Sequence, residues 1–330
     1  MVTAAPTSPA SPSSTSTDFP GTVFLFGELL ADCFPDREIP GGAPFNVAHH
    51  LCGLAGSQIL RPLLISRIGQ DARASRLLAA CRAAGLSSEG IQHDGQHPSG
   101  RVEVTFSQTN GLHRFDIPPQ QAWDFIDGAA CEALLLAHRP RLIYFGTLAQ
   151  RNNVSRAALK RLLSRSRTNG FLDVNLRPPW VGKDVLHWSL NQADTLKLNE
   201  DELAELATLF SPGDDAPQAQ AERLARQFRI RCLLVTRGAR GAWLFERERG
   251  WRESVVASSA VPIIDTVGAG DAFSAVFLLG LQLKWAPADC LERANQFAAA
   301  VCGLRGAVPS DADFYLPWRQ RWGLERKKPA

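Results

Sequence analysis

Residues 265–273 read Asp-Thr-Val-Gly-Ala-Gly-Asp-Ala-Phe, between an apolar run that predicts a strand and a second one, 272–283, that predicts a long helix. Gly268 and Gly270 let the backbone approach a ligand closely, and a helix start presents unpaired N–H groups and a positive dipole end. The stretch therefore predicts an anion-binding site. The same dipole would keep Asp271 ionised, so we expect a low pKa and a carboxylate able to accept a hydroxyl proton. Taken alone, Gly-Ala-Gly-Asp fits a capped helix start equally well.

Outward from this stretch, short β-rich apolar runs alternate with helical segments, which is typical of an α/β fold with a doubly wound, mostly parallel sheet flanked by helices. The runs are 23–26, 63–68, 142–145, 171–174, 195–198 and 233–236. Residues 100–117 break this rhythm, because alternating Val102, Val104 and Phe106 lead to an Asn110-Gly111 turn, which predicts a hairpin. With residues 36–39 it would form a small β lid, from about 33–40 and 99–117, over the carboxyl ends of the sheet.

Composition sets limits on the class of protein. The 330 residues are 45% hydrophobic and 21% charged, which is ordinary for a soluble domain. The net charge of +3 is too small to attract nucleic acid or a membrane surface. Seven cysteines without a C-x-x-C pair argue against a zinc site or a disulfide framework, and no segment resembles a signal peptide or a membrane span. We expect a cytoplasmic protein.

The two ends of the chain have biased compositions. Residues 1–20 are dominated by Ala, Pro, Ser and Thr, which predicts a disordered leader before a single domain over 21–330. The basic residues of 319–328 suggest a loosely held C-terminal tail, and those of 151–167 a solvated helix face. The adjacent His49 and His50 do not predict a metal site, because neighbouring residues on a helix point apart.

Residues 265–273 resemble the C-terminal signature of the PfkB-type carbohydrate kinases, the ribokinase-like family, and of these the chain looks most like the fructokinases. Three more motifs follow in the family's order, and the resemblance spans about 22–315. They are the glycine pair Gly41-Gly42-Ala43-Pro44-Phe45-Asn46, the N-x-x-E motif Asn199-Glu200-Asp201-Glu202, and the T-x-G-x-x-G motif Thr236-Arg237-Gly238-Ala239-Arg240-Gly241.

The resemblance implies an ATP- and Mg²⁺-dependent sugar kinase with a role for each matched residue. Asp271 would be the catalytic base, and Gly268, Ala269 and Gly270 would hold the charge of the transferred phosphoryl group. The sugar would be bound by Asp32 on the first strand, Gly41, Gly42, Asn46, Asn175 and Arg177. The nucleotide side would be formed by Asn199, Thr236, Gly238 and Gly241, with Asn295 near the adenine.

The resemblance also implies metal sites. Asn199 and Glu202 would organise Mg²⁺, with Glu202 acting through water, since this ion keeps much of its hydration shell. Asp265, Val267, Gly306 and Ser310 occupy the positions of a monovalent cation site, for which K⁺ is the candidate ion. Lid strands of this family can pair between subunits, so a homodimer through the lid is expected.

The substrate is less clearly indicated. Asp173-Val174-Asn175-Leu176-Arg177-Pro178 resembles a segment of fructokinase-like and ketodeoxygluconate-kinase-like members, and the Gly-Gly-Ala-Pro form of the glycine pair is commoner among fructokinases. Fructose is the first choice, and ketodeoxygluconate, ribose or a nucleoside is the alternative. Arg101 and Arg114 of the lid could bind the phosphate of a phosphorylated sugar, or they could face solvent. From other classes, a noncatalytic sugar-binding regulator and a Rossmann-type oxidoreductase stay open, although the latter lacks its glycine fingerprint.

Overall fold

The computed structural model describes residues 21–106, 113–166, 168–213, 215–255 and 262–325. In this part of the chain a nine-stranded sheet forms the centre, with the order β13-β12-β11-β10-β9-β8-β1-β4-β5. Its strands are β1 (Gly21–Phe26), β4 (Leu60–Ile68), β5 (Ile91–His93), β8 (Leu142–Phe145), β9 (Asn169–Asp173), β10 (Thr195–Asn199), β11 (Cys232–Thr236), β12 (Ala242–Glu246) and β13 (Gly250–Ser254).

The central sheet is mostly parallel, as the sequence predicts. All neighbours from β5 across to β11 run parallel, and only β12 and β13 at one edge are antiparallel. Each of the six predicted apolar runs overlaps a strand of this sheet. Because parallel strands end at the same edge, the residues that follow β1, β9, β10 and β11 come together there.

Helices cover both faces of the sheet, which gives three layers. In β1, Val23 and Leu25 belong to one buried core while Phe24 and Phe26 belong to the other, so successive side chains pack on opposite faces of the sheet. The helices are α1 (Ala43–Ile59), α2 (Ala72–Ala83), α3 (Gly128–His138), α4 (Asn153–Arg165), α5 (Lys183–Asn191), α6 (Glu200–Phe210), α7 (Pro217–Gln227), α8 (Ala269–Gln282), α9 (Pro287–Val301) and α10 (Leu316–Arg321).

A separate four-stranded sheet forms the lid, in the order β3-β2-β6-β7. Its strands are β2 (Leu30–Cys33), β3 (Glu38–Gly41), β6 (Gly100–Phe106) and β7 (His113–Asp116). The predicted hairpin is confirmed by the antiparallel pairing of β6 and β7, while its Asn110-Gly111 turn and the Arg114 side chain lie outside the described residues. Arg101 faces solvent in an ion pair with Glu103. The homodimer through this sheet stays a prediction.

Three expectations from the sequence are wrong. Asp32 does not lie on the first strand but on β2 in the lid, because the chain leaves the central sheet at Gly27. Residues 262–264 form no strand, and the side chains of Ile263 and Ile264 are exposed. The C-terminal segment up to residue 325 is not a loose tail, since Trp322 is buried in the core beside α9.

Other sequence expectations fall on the ends of the chain or on its surface. The predicted leader, residues 1–20, lies outside the described residues. Among the residues that are described, no helix combines the length and the apolar character needed to cross a bilayer. The basic stretch 151–167 contains α4, whose leucines face the core while its basic residues lie outward, Lys160 among them.

Candidate active site

A pocket of about 630 Å³ opens between the lid and the carboxyl ends of the central strands. The lid contributes one wall, and the start of α8 and the ends of β10 and β11 contribute the other. The pocket is lined by Glu28, Leu30, Asp32, Gly42, Ala43, Asn46, Val102, Ile117, Leu148, Asn175, Arg177, Lys197, Asn199, Glu202, Thr236, Thr266, Val267, Gly268, Gly270 and Asp271. Residues that the sequence assigned to sugar, nucleotide and catalysis thus share one cavity.

Asp271 lies in the first turn of α8 and faces this pocket. The helix begins after Gly268, whose φ of 78° suits glycine, and a Cβ at that position would collide with Ala307. Asn46 Nδ2, on α1, donates a hydrogen bond of 2.8 Å to Asp271 Oδ2. The carboxylate is therefore aimed by a helix start and by an amide from the opposite side of the pocket.

The expectation of a low pKa for Asp271 is wrong. Burial raises its pKa from 3.8 to about 6, and the hydrogen bond from Asn46 offsets only part of this effect. The neighbouring Asp173 carboxylate raises it further, while Lys197 and Arg177 lower it. At neutral pH the carboxylate is still mostly ionised, and a pKa nearer to neutrality makes it a stronger proton acceptor than an ordinary aspartate.

The sugar-side residues meet where the lid joins the central sheet. Gly42 has a φ of 105°, and a Cβ there would collide with the Glu28 carbonyl oxygen. Burial raises the pKa of Asp32 to about 6 and that of Glu28 to about 7. Arg177 is exposed and donates to the Leu176 carbonyl oxygen, while its charge lowers the pKa of both carboxyls.

Two more predicted sugar-side residues lie near these groups. Gly41 pairs with Leu30 across the lid, and a Cβ at Gly41 would approach Asp32 Oδ2 to 3.0 Å. Asn175 follows β9 with a φ of 43° and lines the pocket, whereas Gly41 does not. The structure thus brings Asp32, Asn46 and Asn175 into one cavity, with Gly41 directly behind it.

On the nucleotide side, the N-x-x-E motif forms a capping box at the start of α6. The Asn199 side chain accepts from the backbone N–H of Glu202 at 2.8 Å, and Glu202 Oε2 accepts from that of Asn199 at 2.9 Å. Glu202 Oε1 also accepts from the Leu176 backbone N–H at 2.8 Å, which ties the end of β10 to the loop after β9. Thr236 lines the pocket at the end of β11.

The remaining predicted nucleotide residues lie outside the cavity lining. Gly238 and Gly241 form the turn between β11 and β12, both with positive φ, as a hairpin requires. Asn295 is buried on α9, and its side chain donates to the Ser254 carbonyl oxygen at the end of β13. Its predicted place near the adenine stays a prediction.

The segment proposed for a monovalent cation is held together by Asp265. Its two carboxylate oxygens accept from the backbone N–H groups of Val267 and Gly306, both at 3.0 Å. This joins the loop before α8 to the loop after α9, while Ser310 lies exposed at the far end of that second loop. Asp265 thus contacts two of the three other predicted residues.

The chain matches the family model described as pfkB family carbohydrate kinase over residues 14–313. The chain belongs to this family. It is a sugar kinase.

Curated relatives of the kinase are fructokinases at modest identity. It is 27% identical to fructokinase-2 of Oryza sativa subsp. japonica over 319 residues, covering 88% of this chain and 91% of that protein. It is 29% identical to the fructokinase of Klebsiella pneumoniae over 334 residues, covering 91% and 97%.

Solved structures share its ribokinase-like fold. A fructokinase from Xylella fastidiosa with bound ATP superimposes with a TM-score of 0.75 at 21% identity, over 92% of this chain and 99% of that one. A fructokinase from Vibrio cholerae O395 with fructose, ADP and calcium gives 0.72 at 23%, over 88% and 95%. Aminoimidazole riboside kinase from Salmonella enterica gives 0.71 at 22%, over 89% and 99%.

Sequence reasoning about the kinase missed a buried polar cluster beneath Asp271. Lys197 Nζ lies 3.0 and 3.1 Å from the two carboxylate oxygens of Asp173. Asp173 Oδ2 also accepts from the Ser274 hydroxyl at 2.8 Å and from the Tyr144 hydroxyl at 3.2 Å. A lysine inside the apolar run 195–198 was the available signal, because a buried charge requires a partner.

The adjacent histidines of α1 also have a role that the sequence did not indicate. His49 Nδ1 and His50 Nδ1 lie 2.9 and 3.0 Å from the Tyr315 hydroxyl, and His50 Nε2 lies 3.1 Å from the Ala307 carbonyl oxygen. Burial lowers the pKa of His49 to about 4 and that of His50 to about 3, so both are neutral at pH 7. These contacts fasten the Ala307 loop, against which Gly268 packs, to α1.

Proposed function

We propose that this sugar kinase transfers the γ-phosphoryl group of ATP to a hydroxyl of fructose, giving fructose 6-phosphate. The observation that carries the proposal is the position of Asp271. Its carboxylate lies at the start of α8, is held by Asn46, and faces a single cavity shared by the predicted sugar and nucleotide residues. Fructose is favoured over other sugars by the curated fructokinase relatives.

In this proposal Asp271 is the base. It accepts the proton of the sugar hydroxyl as that oxygen attacks the γ-phosphorus and the bond to the β-phosphate oxygen breaks, so ADP leaves with the electron pair. A loose transition state requires mainly positioning and neutralisation of charge. The backbone N–H groups of 268–270 at the helix start supply positive potential where that charge develops.

Residues on the lid side hold the acceptor. Asp32 and Asn175 line the cavity beside Asp271, and an aspartate and an asparagine can bond several hydroxyls of one sugar. Arg177 stands at the mouth of this region and supplies a positive charge to the sugar or to a phosphate. The lid sheet would exclude water from the cavity when it closes over the substrates.

The residues at the N-x-x-E motif fit a Mg²⁺ ion. Both Glu202 oxygens already accept a backbone N–H but retain a lone pair, which suits contact with an ion's hydration shell better than direct ligation. Among the described residues there is no group of three or more His, Cys, Asp or Glu that could hold a metal, so nucleotide phosphates would complete the coordination. When bound, the ion neutralises charge on the phosphates. Asp265 and the Gly306 loop remain the candidate site for K⁺.

The test is ATP-dependent phosphorylation of a panel containing fructose, ribose, ketodeoxygluconate, a fructose phosphate and a nucleoside, by wild type and by Asp271→Ala. Removal of a general base alone costs about 10²–10⁴-fold in rate, so turnover of fructose should fall by at least that much in the variant. Turnover of another member instead of fructose would reassign the acceptor. Fructose turnover that survives in Asp271→Ala would contradict the role of the base.

A matched control is Asp32→Asn. Asp32 shares the cavity with Asp271 but belongs to the lid, so we expect a higher KM for the sugar and a smaller loss in kcat. Equal losses of kcat in Asp32→Asn and Asp271→Ala would show that the assay does not separate binding from proton transfer.

A further inference from the structure

The acceptor side of the cavity includes three segments that are far apart in the chain. Ile117 follows lid strand β7, Leu148 begins a short 3-10 turn after β8, and Asn175 and Arg177 belong to the loop after β9. All four residues line the pocket, and none of them lies in a strand of the central sheet. Such a site is precise only when supporting side chains hold its segments in place.

Arg151 contacts two of these segments through hydrogen bonds. Its backbone N–H donates to the Leu148 carbonyl oxygen at 3.1 Å, so Arg151 closes the turn that carries Leu148. Its side-chain Nη1 donates to the Ile117 carbonyl oxygen at 3.2 Å, and Nη2 donates to that of Pro118 at 2.6 Å. The arginine therefore joins the turn after β8 to the end of the lid hairpin.

The third segment reaches the same guanidinium group through an indole ring. The guanidinium carbon lies 4.1 Å from the ring centroid of Trp123 and 4.7 Å from that of Trp180. Trp180 follows closely on the loop after β9, and its backbone N–H donates to the Arg177 carbonyl oxygen at 3.0 Å. Because a guanidinium over an aromatic face is attracted to it, Trp180 ties this loop to Arg151.

Arg151 itself is buried and fixed. Its Nε and Nη2 donate to the two carboxylate oxygens of Asp124 at 2.7 and 2.8 Å. The Arg151 side chain is only 3% exposed and that of Asp124 only 1%. A lysine at this position would keep the positive charge but would lose the bidentate pairing and the planar contact with the indole rings.

We propose that Arg151, oriented by Asp124, is a positioning residue for the sugar: it holds the lid exit, the turn after β8 and the loop after β9 in the arrangement that binds the acceptor. The inference rests on the proposed function, because it requires the acceptor to bind on this side of the cavity. The competing role is structural, in which Arg151 only neutralises the buried Asp124. Under that role, replacing Arg151 would lower stability without a selective effect on sugar binding.

The test measures the KM for fructose, the KM for ATP and kcat in wild type, Arg151→Lys and Trp180→Leu. Arg151→Lys keeps a charge beside Asp124 but removes the planar fork. Trp180→Leu keeps the pair of Arg151 and Asp124 and removes only the contact with the loop after β9. Since Trp180 is partly exposed, this variant is the milder of the two and decides the matter if Arg151→Lys does not fold.

Arg67→Lys is the matched control. Arg67 Nη1 donates to the Phe125 carbonyl oxygen at 2.6 Å, and Arg67 Nε lies 3.1 Å from the buried Asp94 carboxylate. Arg67 thus pairs with a buried aspartate and holds the same 3-10 turn, Ala122–Phe125, that contains Asp124, but it does not line the pocket. A general loss of stability should therefore affect both arginine variants alike.

We expect Arg151→Lys to raise the KM for fructose roughly 10-fold or more, which corresponds to the loss of one or two hydrogen bonds to the sugar. Trp180→Leu should raise it about threefold or more. The KM for ATP and kcat should stay within about threefold of wild type, because neither side chain contacts Asp271 or the nucleotide side. Arg67→Lys should leave all three values within about twofold.

Two results would overturn the inference. One is a KM for fructose that rises no further in Arg151→Lys and Trp180→Leu than in Arg67→Lys, and the other is an equal rise in the KM for fructose and for ATP. Either would leave Arg151 as a partner of Asp124 alone. If wild type phosphorylated another sugar of the panel, the same comparison would be made with that sugar, and a wild type that phosphorylates none would overturn the proposed function and this inference with it.

Discussion

Replacing the proposed base should make the kinase more stable. Burial raises the pKa of Asp271 from 3.8 to about 6, so the ionised carboxylate is disfavoured in the folded protein. Each pKa unit of difference between the folded and unfolded states is worth about 1.4 kcal/mol, which sets an upper bound of about 3 kcal/mol. Water in the pocket screens this partly exposed group, so we expect Asp271→Asn to increase the free energy of unfolding by about 1–2 kcal/mol.

The gain should depend on pH in a defined direction. A carboxyl whose folded pKa lies above its unfolded value favours folding when it is protonated, and this contribution is lost as the pH rises through the folded pKa. The ionised Asp271 therefore destabilises folded wild type only above about pH 4, and this destabilisation reaches its full size above about pH 6. The advantage of Asp271→Asn should be complete at pH 8 and roughly half as large at pH 5.

Urea unfolding of both proteins at pH 8 and pH 5 measures this difference directly, and thermal unfolding at pH 8 should show a rise of about 2 °C. Asp173→Asn is the contrasting control, because it leaves Lys197 as an unpaired buried charge and should cost about 3–5 kcal/mol. An Asp271→Asn protein that is no more stable than wild type at pH 8, or whose gain is the same at both pH values, would refute the reasoning.

Three further predictions concern the support of the site. The kcat/KM of wild type should decrease as the pH is lowered below about 6, where Asp271 becomes protonated. Asn46→Ala should shift this acidic limb to higher pH, because the hydrogen bond from Asn46 lowers the pKa of Asp271. An acidic limb at the same pH in both proteins would contradict this. In the urea assay, Gly268→Ala should lower the free energy of unfolding by more than about 2 kcal/mol, because a Cβ at this position collides with Ala307. Gly56 also has a positive φ but open space around it, so Gly56→Ala should lower the free energy of unfolding by only about 1 kcal/mol. Tyr315→Phe should cost about 1–3 kcal/mol by leaving histidine nitrogens of α1 without their hydroxyl partner; an unchanged urea midpoint would show that the hydroxyl is dispensable.

The central sheet could be predicted because its strands carry their own signal. Runs such as Leu142–Phe145 are short, apolar and bounded by polar segments, and burial on both faces requires that pattern. The lid strand Leu30–Cys33 carries no such signal. Its four residues Leu-Ala-Asp-Cys are too few to show a clear alternation, and the strand is defined by its pairing with β3 and with the distant β6. Asp32 was therefore placed on the wrong sheet.

The electrostatics of the site were harder to predict than its location. The glycines and the carboxylate of 268–271 identify a helix start from local sequence, and the helix dipole favours an ionised Asp271. Burial acts in the opposite direction and is larger, and the groups that modify the pKa further, Asn46 by its hydrogen bond and Asp173 by its charge, are distant in the chain. The partnership of Asp173 with Lys197 likewise depends on the pairing of β9 with β10.

One residue separates the lid from the helix that aims the base. The lid strand β3 ends at Gly41 and α1 begins at Ala43, so Gly42 alone connects them, and Asn46 follows one turn later with its hydrogen bond to Asp271. Gly42 also packs closely against the Glu28 backbone, which restricts independent movement of the lid and α1 at this connection. A rotation of the lid would therefore also displace Asn46. Under the proposed function, sugar binding at Asp32 and the orientation of the Asp271 carboxylate would be coupled through Gly42.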